Sequence, residues 1–114
     1  EETAIRETEE ETGMARRHIE VIGRLDDYET RTGFRVTPVV AMVSPPFELT
    51  PDVHEVAEVF EVPLAFLLDP ANHQRHAREF EGTERQFFAM PYKQHFIWGA
   101  TAGMLINLYE ALKE

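Results

Sequence analysis

Glu1-Glu2-Thr3-Ala4-Ile5-Arg6-Glu7-Thr8-Glu9-Glu10-Glu11-Thr12-Gly13-Met14 decides how the rest of this chain is read. It predicts a short helix stopped by Gly13, a residue free to enter the left-handed conformation that ends helices. Glu7, Glu10 and Glu11 stand at i, i+3 and i+4, so their carboxylates project from one face. Three like charges there repel and disfavour an isolated helix. A hard divalent cation such as Mg²⁺, Mn²⁺ or Ca²⁺ takes oxygen ligands and reverses the sign of that term. On the glutamates alone, a solvated acidic helix explains the stretch equally well.

Composition narrows the classes. The chain of 114 residues amounts to one domain at most. A hydrophobic fraction of 43% and an aromatic fraction of 11% suffice for a core and argue against disorder. The net charge of -10 argues against a nucleic-acid backbone as partner. It fits a protein that concentrates carboxylates around metal, and the metal would then let an acidic protein take a polyanionic substrate. With no cysteine there is no disulfide, zinc-thiolate site or cysteine nucleophile. That composition is compatible with the cytoplasm, the compartment expected here. No apolar run of about 18 residues predicts a membrane span.

Residues 6–14 resemble the second half of the Nudix box, R-E-U-x-E-E-x-G-U, where U is bulky and aliphatic. Arg6, Glu7, Glu10, Glu11 and Gly13 match the fixed positions, and Met14 fits the last U. Thr8 stands where the first U is expected. The first half of the box would lie before residue 1, so the chain reads as the C-terminal part, 1–114, of a single Nudix domain. On that reading the N-terminal strands are absent from this chain, and these residues alone are expected to be inactive or nearly so.

Taken in order, residues 18–25 and 34–43 are β-branched and predict a long hairpin, with Pro38 at an edge or bulge. Residues 26–33 read as a polar loop ending in Gly33. Residues 44–52 form a proline-stiffened loop, either a plain connector or a wall of a substrate pocket. Alternation over 53–63 predicts a strand. Residues 64–69 predict a short helix closed by Pro70, and the basic stretch 71–84 a connecting arm. Residues 85–92 and 94–98 predict a second hairpin, turned by Pro91-Tyr92-Lys93. From Gly99 onward an amphipathic helix is predicted, with Ala100 or Thr101, Met104, Leu105, Leu108 and Leu112 as its buried stripe. Helices around mixed strands imply an α/β fold, an α/β/α sandwich with one helix on each face. The resemblance implies the same arrangement.

Three further stretches resemble the coenzyme A diphosphatase branch. Val36-Thr37-Pro38-Val39-Val40 is similar to V-x-P-V-V. Glu55-Val56-Ala57-Glu58-Val59-Phe60-Glu61-Val62-Pro63-Leu64 is similar to E-V-x-x-x-F-x-V-P-L. Ile97-Trp98-Gly99-Ala100-Thr101-Ala102-Gly103-Met104-Leu105 is similar to I-W-G-x-T-A-x-M-L. The implied reaction is hydrolysis of the diphosphate bond in coenzyme A or acyl-coenzyme A, giving 3′,5′-ADP and 4′-phosphopantetheine or its acyl form.

The resemblance makes Glu10 and Glu11 metal ligands and Glu7 a ligand or catalytic base, with Mg²⁺ or Mn²⁺ as cofactor. Such an ion neutralises diphosphate charge and activates water. Arg6 is expected to pair with a neighbouring carboxylate. Glu55 is the candidate for a further catalytic acid, with Glu58 behind it. A surface carboxylate is the plain alternative for each. His73 and His76, at i, i+3, lack a matching carboxylate pattern for metal, His54 lies beside Glu55, and His18 and His95 read as structural. The implied partner is a small nucleoside diphosphate substrate, with no nucleic acid and no membrane, and a homodimer is compatible. Two rivals stand beside this reading. One is a Nudix hydrolase of ADP-ribose, a dinucleotide or a nucleotide sugar. The other is a non-catalytic Nudix module that binds a ligand.

Overall fold

A computed structural model describes residues 1–45, 48–54, 56 and 58–113. The elements are α1 (Glu2–Thr12), a 3₁₀ turn (Arg16–His18), β1 (Ile19–Arg24), β2 (Tyr28–Glu29), β3 (Arg35–Val36) and β4 (Val39–Val43). They continue with α2 (Leu64–Leu67), a second 3₁₀ turn (Pro70–Asn72), β5 (Gln74–Phe80), β6 (Thr83–Tyr92), β7 (His95–Trp98) and α3 (Gly99–Leu112). This is the mixed α/β class expected. The chain divides into two compact units: Glu1–Asp26 with Thr37–Glu61, and Asp27–Val36 with Val62–Glu114.

In the first unit α1 ends where the sequence says it should. Gly13 has φ 77° and ψ 5°, and its amide donates to the Glu9 carbonyl at 3.0 Å. Thr8, the odd residue of the motif, donates its hydroxyl to the Ala4 carbonyl at 2.9 Å, which satisfies it within the helix.

β1 pairs antiparallel with β4, and Ile22 is the extra residue of a bulge, since Val21 faces Ala41 while Gly23 faces Val40. The long hairpin expected of residues 18–25 and 34–43 is thus only half right. Pro38 has no amide to give the ladder, and its carbonyl accepts the final bond from Leu25 at 3.0 Å. The residues before it form β3, which pairs with β2 inside what reads as a polar loop.

The strand expected over 53–63 is absent among the described residues. Asp52 prevents it: its carboxylate accepts from the His54 amide at 2.9 Å and its carbonyl from the Val56 amide at 2.8 Å. Those local bonds close a turn, and Val53 is left 83% exposed.

In the second unit β5, β6 and β7 form one antiparallel sheet. The stretch expected to be a connecting arm is β5. A tight turn at Glu81-Gly82, with φ 51° and 79°, folds it onto β6. β6 and β7 pair as expected, but their turn is Lys93-Gln94, since Tyr92 faces His95 and Pro91 lies in the strand opposite Phe96. Lys93 takes φ 54° to make that turn.

α3 packs on β6 and β7. Its buried positions are Ala102 and Gly103, whereas Thr101 is exposed and Leu112 is 55% exposed. Ala100, Met104, Leu105 and Leu108 of the expected stripe are half-buried, and the fully buried positions beside them are small residues. The Tyr28 ring packs so close to Gly103 that a Cβ there would lie 2.8 Å from Tyr28 Cζ. Ala89, Met90 and Ala102 are completely buried and form the centre of this unit. Phe66 and Tyr92 meet edge to face at 5.0 Å, and His73 Nε2 bonds the Leu67 carbonyl at 2.7 Å. No helix among the described residues is long and apolar enough to cross a membrane.

Candidate active site

α1 sorts its acids by face. Arg16 reaches back to Glu2 through a two-pronged contact, Nη1 to Oε1 at 3.1 Å and Nη2 to Oε2 at 2.7 Å. That guanidinium holds the Glu2 carboxyl below its usual range. Glu9 accepts the Arg16 amide at 3.2 Å and lies 3.5 Å from Arg16 Nε. Arg16 thus occupies one flank of the helix with Glu2 and Glu9. These are the two α1 glutamates outside the motif's fixed positions.

The other face carries Glu7, Glu10 and Glu11. Arg6 Nε lies 3.8 Å from Glu10 Oε2, with both side chains more than half exposed. Such a pair is screened and adds little to stability. Among the described residues no ion pair engages Glu7 or Glu11.

Glu7 lines a cavity of about 300 Å³ together with Glu1, Thr3, Arg24, Thr37 and Val39. Arg24 Nε lies 3.9 Å from Glu1 Oε2, at the same cavity. Neither Arg24 nor Thr37 is marked by the sequence motif. Arg24 ends β1 and Thr37 precedes β4, and both line this cavity with residues of α1, a tertiary fact with no local signal.

The loop expected to be connector or pocket wall is tied to the helix end. The Thr50 amide donates to the Thr12 carbonyl at 2.7 Å, and the Asp52 amide to the Glu11 carbonyl at 2.8 Å. These bonds satisfy carbonyls that a helix C-terminus otherwise leaves bare. They also fix the backbone that carries Glu11. A Cβ on Gly13 would sit 2.8 Å from the Thr50 nitrogen, so only glycine lets the loop dock. Glu55 lies outside the described residues, and Glu58 is exposed.

The donor set fits a hard divalent ion by chemistry: three carboxylates on adjacent turns of one rigid helix. The carboxylates are spread, and among the described residues no three acidic or histidine side chains converge closely enough to hold an ion. Glu7 and Glu10 are exposed and Glu11 is half-buried. His73 and His76 do not resemble a metal pair: His73 bonds Leu67, and His76 Nε2 bonds Gln74 Oε1 at 2.7 Å on β5.

Comparison with known proteins agrees with the motif. The NUDIX domain profile matches residues 1–86. An uncharacterized Nudix hydrolase NudL of Photorhabdus laumondii is 32% identical over 111 residues, covering 97% of this chain and 59% of that protein. Proteins of the same description from Escherichia coli O7:K1 and Klebsiella pneumoniae are 36% and 35% identical over 105 residues, covering 92% of this chain and 55% of each. The chain therefore spans only 55–59% of the length of these relatives.

Proposed function

Because this chain belongs to the Nudix family, and its α/β structure is consistent with part of a Nudix fold, we propose that it is part of a metal-dependent diphosphatase. The observation that carries this is α1 itself, which presents Glu7, Glu10 and Glu11 on one face while Arg16 engages Glu2 and Glu9 on another. In this reading Glu10 and Glu11 hold Mg²⁺ or Mn²⁺, and Glu7, on the wall of the cavity, is a ligand or the base that takes a proton from water. Arg6 steadies Glu10, and Glu55 is the further acidic candidate. When bound, the ion supplies charge neutralisation of the diphosphate and a more acidic water. The chain is read as one portion of a single Nudix domain. Ile22 and Met42, 58% and 57% exposed, are apolar side chains left open on the β1–β4 ladder.

The substrate proposed is coenzyme A or an acyl-coenzyme A, cleaved to 3′,5′-ADP and the phosphopantetheine product. It is supported by the three downstream motif matches around Pro38, Glu55 and Trp98. The test is a panel run on the intact protein with Mg²⁺ and with Mn²⁺. Turnover of coenzyme A in preference to ADP-ribose supports the branch. Cleavage of ADP-ribose but not coenzyme A overturns it. Saturable binding with no turnover of any diphosphate, at high metal, overturns catalysis and leaves a binding module.

A further inference from the structure

The second unit leaves one face of its sheet open. Alternation along the strands, taken with their register, puts His76, Arg78, Arg85, Phe87, Phe96 and Trp98 on that face. Phe96 and Trp98 are 50% and 52% exposed, whereas His95 and Ile97, on the opposite face, are half-buried. The rings form a row across all three strands. His76 lies 5.4 Å from Phe87 and 5.7 Å from Phe96, and Phe87 meets Trp98 edge to face at 5.6 Å.

The same face gathers positive charge on a chain of net charge -10. Arg78 and Arg85 oppose one another directly across the β5–β6 ladder, and like charges in that position oppose folding. On the other side of the ribbon Glu79 opposes Glu84. Exchanging Arg85 with Glu84 would pair all four, yet the hairpin sorts its charges by face. Among the described residues neither Arg78 nor Arg85 makes an ion pair. Arg31, which donates to the Gln86 carbonyl, joins them with Thr32, Phe87 and Trp98 around a cavity of about 410 Å³. No acidic side chain among the described residues lines that cavity.

Exposed aromatics flanked by arginines, without lysine or acid among them, have the composition of a protein–protein interface centre. The row of rings spans three strands and lies open, so it suits an extended segment better than an enclosed small molecule. Two-fold self-association would lay this face upon itself, arginine against arginine, which disfavours a second copy as the occupant. A nucleic-acid strand would carry its repeated phosphates past an acidic protein. Carboxylates are the remaining match, since each guanidinium fork takes two carboxylate oxygens at once.

We propose that this face docks an acidic segment of another protein. The segment's carboxylates lie against Arg78, Arg85 and Arg31, and interspersed apolar side chains lie against Phe87, Phe96 and Trp98. No residue of α1 takes part, so the inference stands whether or not the protein hydrolyses anything.

Trp98 is the only tryptophan, so its fluorescence reports the face directly. The intact protein is kept in EDTA, which removes any metal route through the glutamates. It is titrated with a blocked peptide of about ten residues built from glutamate and leucine. Controls replace the glutamates with lysine or the leucines with serine, and a single-stranded RNA oligomer is the third. The glutamate–leucine peptide should shift Trp98 emission to the blue saturably, and bind more weakly as salt rises. Each control should bind at least about tenfold more weakly. Arg85→Glu should weaken peptide binding by at least about tenfold without lowering the melting temperature, because it turns a repelling pair into an attracting one. Arg78→Gln should weaken binding in the same direction and gives a second reading. No saturable shift at millimolar peptide overturns the proposal, as does unchanged binding by both variants. Equal binding of the lysine peptide removes the charge match, and equal binding of the serine peptide leaves only an anion patch. Tighter binding of RNA replaces the partner class, and a dimer in sedimentation that Arg85→Glu dissolves makes the occupant a second copy. Each of these outcomes overturns it.

Discussion

The two units hold charge in contrasting ways. The first stacks glutamates along a helix, where neighbours three and four residues apart cannot avoid one another. It relieves part of the repulsion with Arg16 and Arg6 and leaves Glu7 and Glu11 without an ion pair among the described residues. The second puts Arg78 opposite Arg85 on a strand ladder, and among the described residues neither makes an ion pair. On the hairpin, exchanging Arg85 with Glu84 would have paired the facing charges, whereas α1, with five glutamates to one arginine, could not be balanced by any reordering. Unbalanced like charge opposes folding at both places, and on the proposed reading of α1 a hard cation would offset it there.

The contrast is broken most sharply at the carboxylates. Glu11→Gln or Glu10→Gln in the intact protein should lower kcat with Mg²⁺ by on the order of 10²–10³, since each removes a donor acting on charge in the transition state. The same changes should not lower the melting temperature, because they remove like-charge repulsion. Steady-state turnover and thermal unfolding, measured together, check both halves. Undiminished turnover would end the metal reading of α1.

Next comes the residue that holds the acidic face in place. Gly13→Ala should destabilise by about 2–4 kcal/mol, the sum of left-handed strain and a backbone clash with Thr50. Urea unfolding reads the loss. A loss below about 1 kcal/mol would mean that the Thr50 loop is not docked as described.

How much of this was legible depends on how local each cause is. Gly13, α1 and the β6–β7 pairing follow from residues adjacent in sequence, and all three were readable. The Arg, Glu and Gly pattern of residues 6–14 was equally local, so the family was readable too. The alternation over 53–63 misled because a single side chain, Asp52, offers the backbone a competing turn. β5 was missed because its polar residues give no apolar alternation, and its signal, Glu81-Gly82 between two charged runs, is a turn cue rather than a strand cue. The buried face of α3 was read in part: Ala100, Met104, Leu105 and Leu108 are half-buried as expected, but the close approach of Tyr28 to Gly103 joins residues far apart in the chain and had no local signal. Likewise Arg24 and Thr37 reach the Glu7 cavity only through folding.

Gly103 therefore sharpens the comparison with Gly13. Gly103→Ala also creates a clash, but against a ring that can swing rather than against backbone, and no left-handed strain adds to it. A cost of about 1–3 kcal/mol is expected, smaller than that at Gly13. If the order of the two were reversed, the Tyr28 ring would be as unyielding as main chain, and unit two the more rigidly packed of the pair.

The smallest effect separates the paired acids of α1 from the unpaired ones. Glu2 has its pKa lowered, mainly by the hydrogen bond from Arg16 and then by its charge. A carboxyl held low in the folded state adds stability that is present above its unfolded value, near 4.5, and fades as pH falls through the folded value. Arg16→Gln should thus lower the melting temperature slightly at neutral pH, and the difference from wild type should close below pH 4.5. Because both side chains are exposed, added salt should shrink the difference as well. A gap that persists at low pH and high salt would show that Arg16 stabilises the helix by packing its stem, and that charge on this flank is incidental.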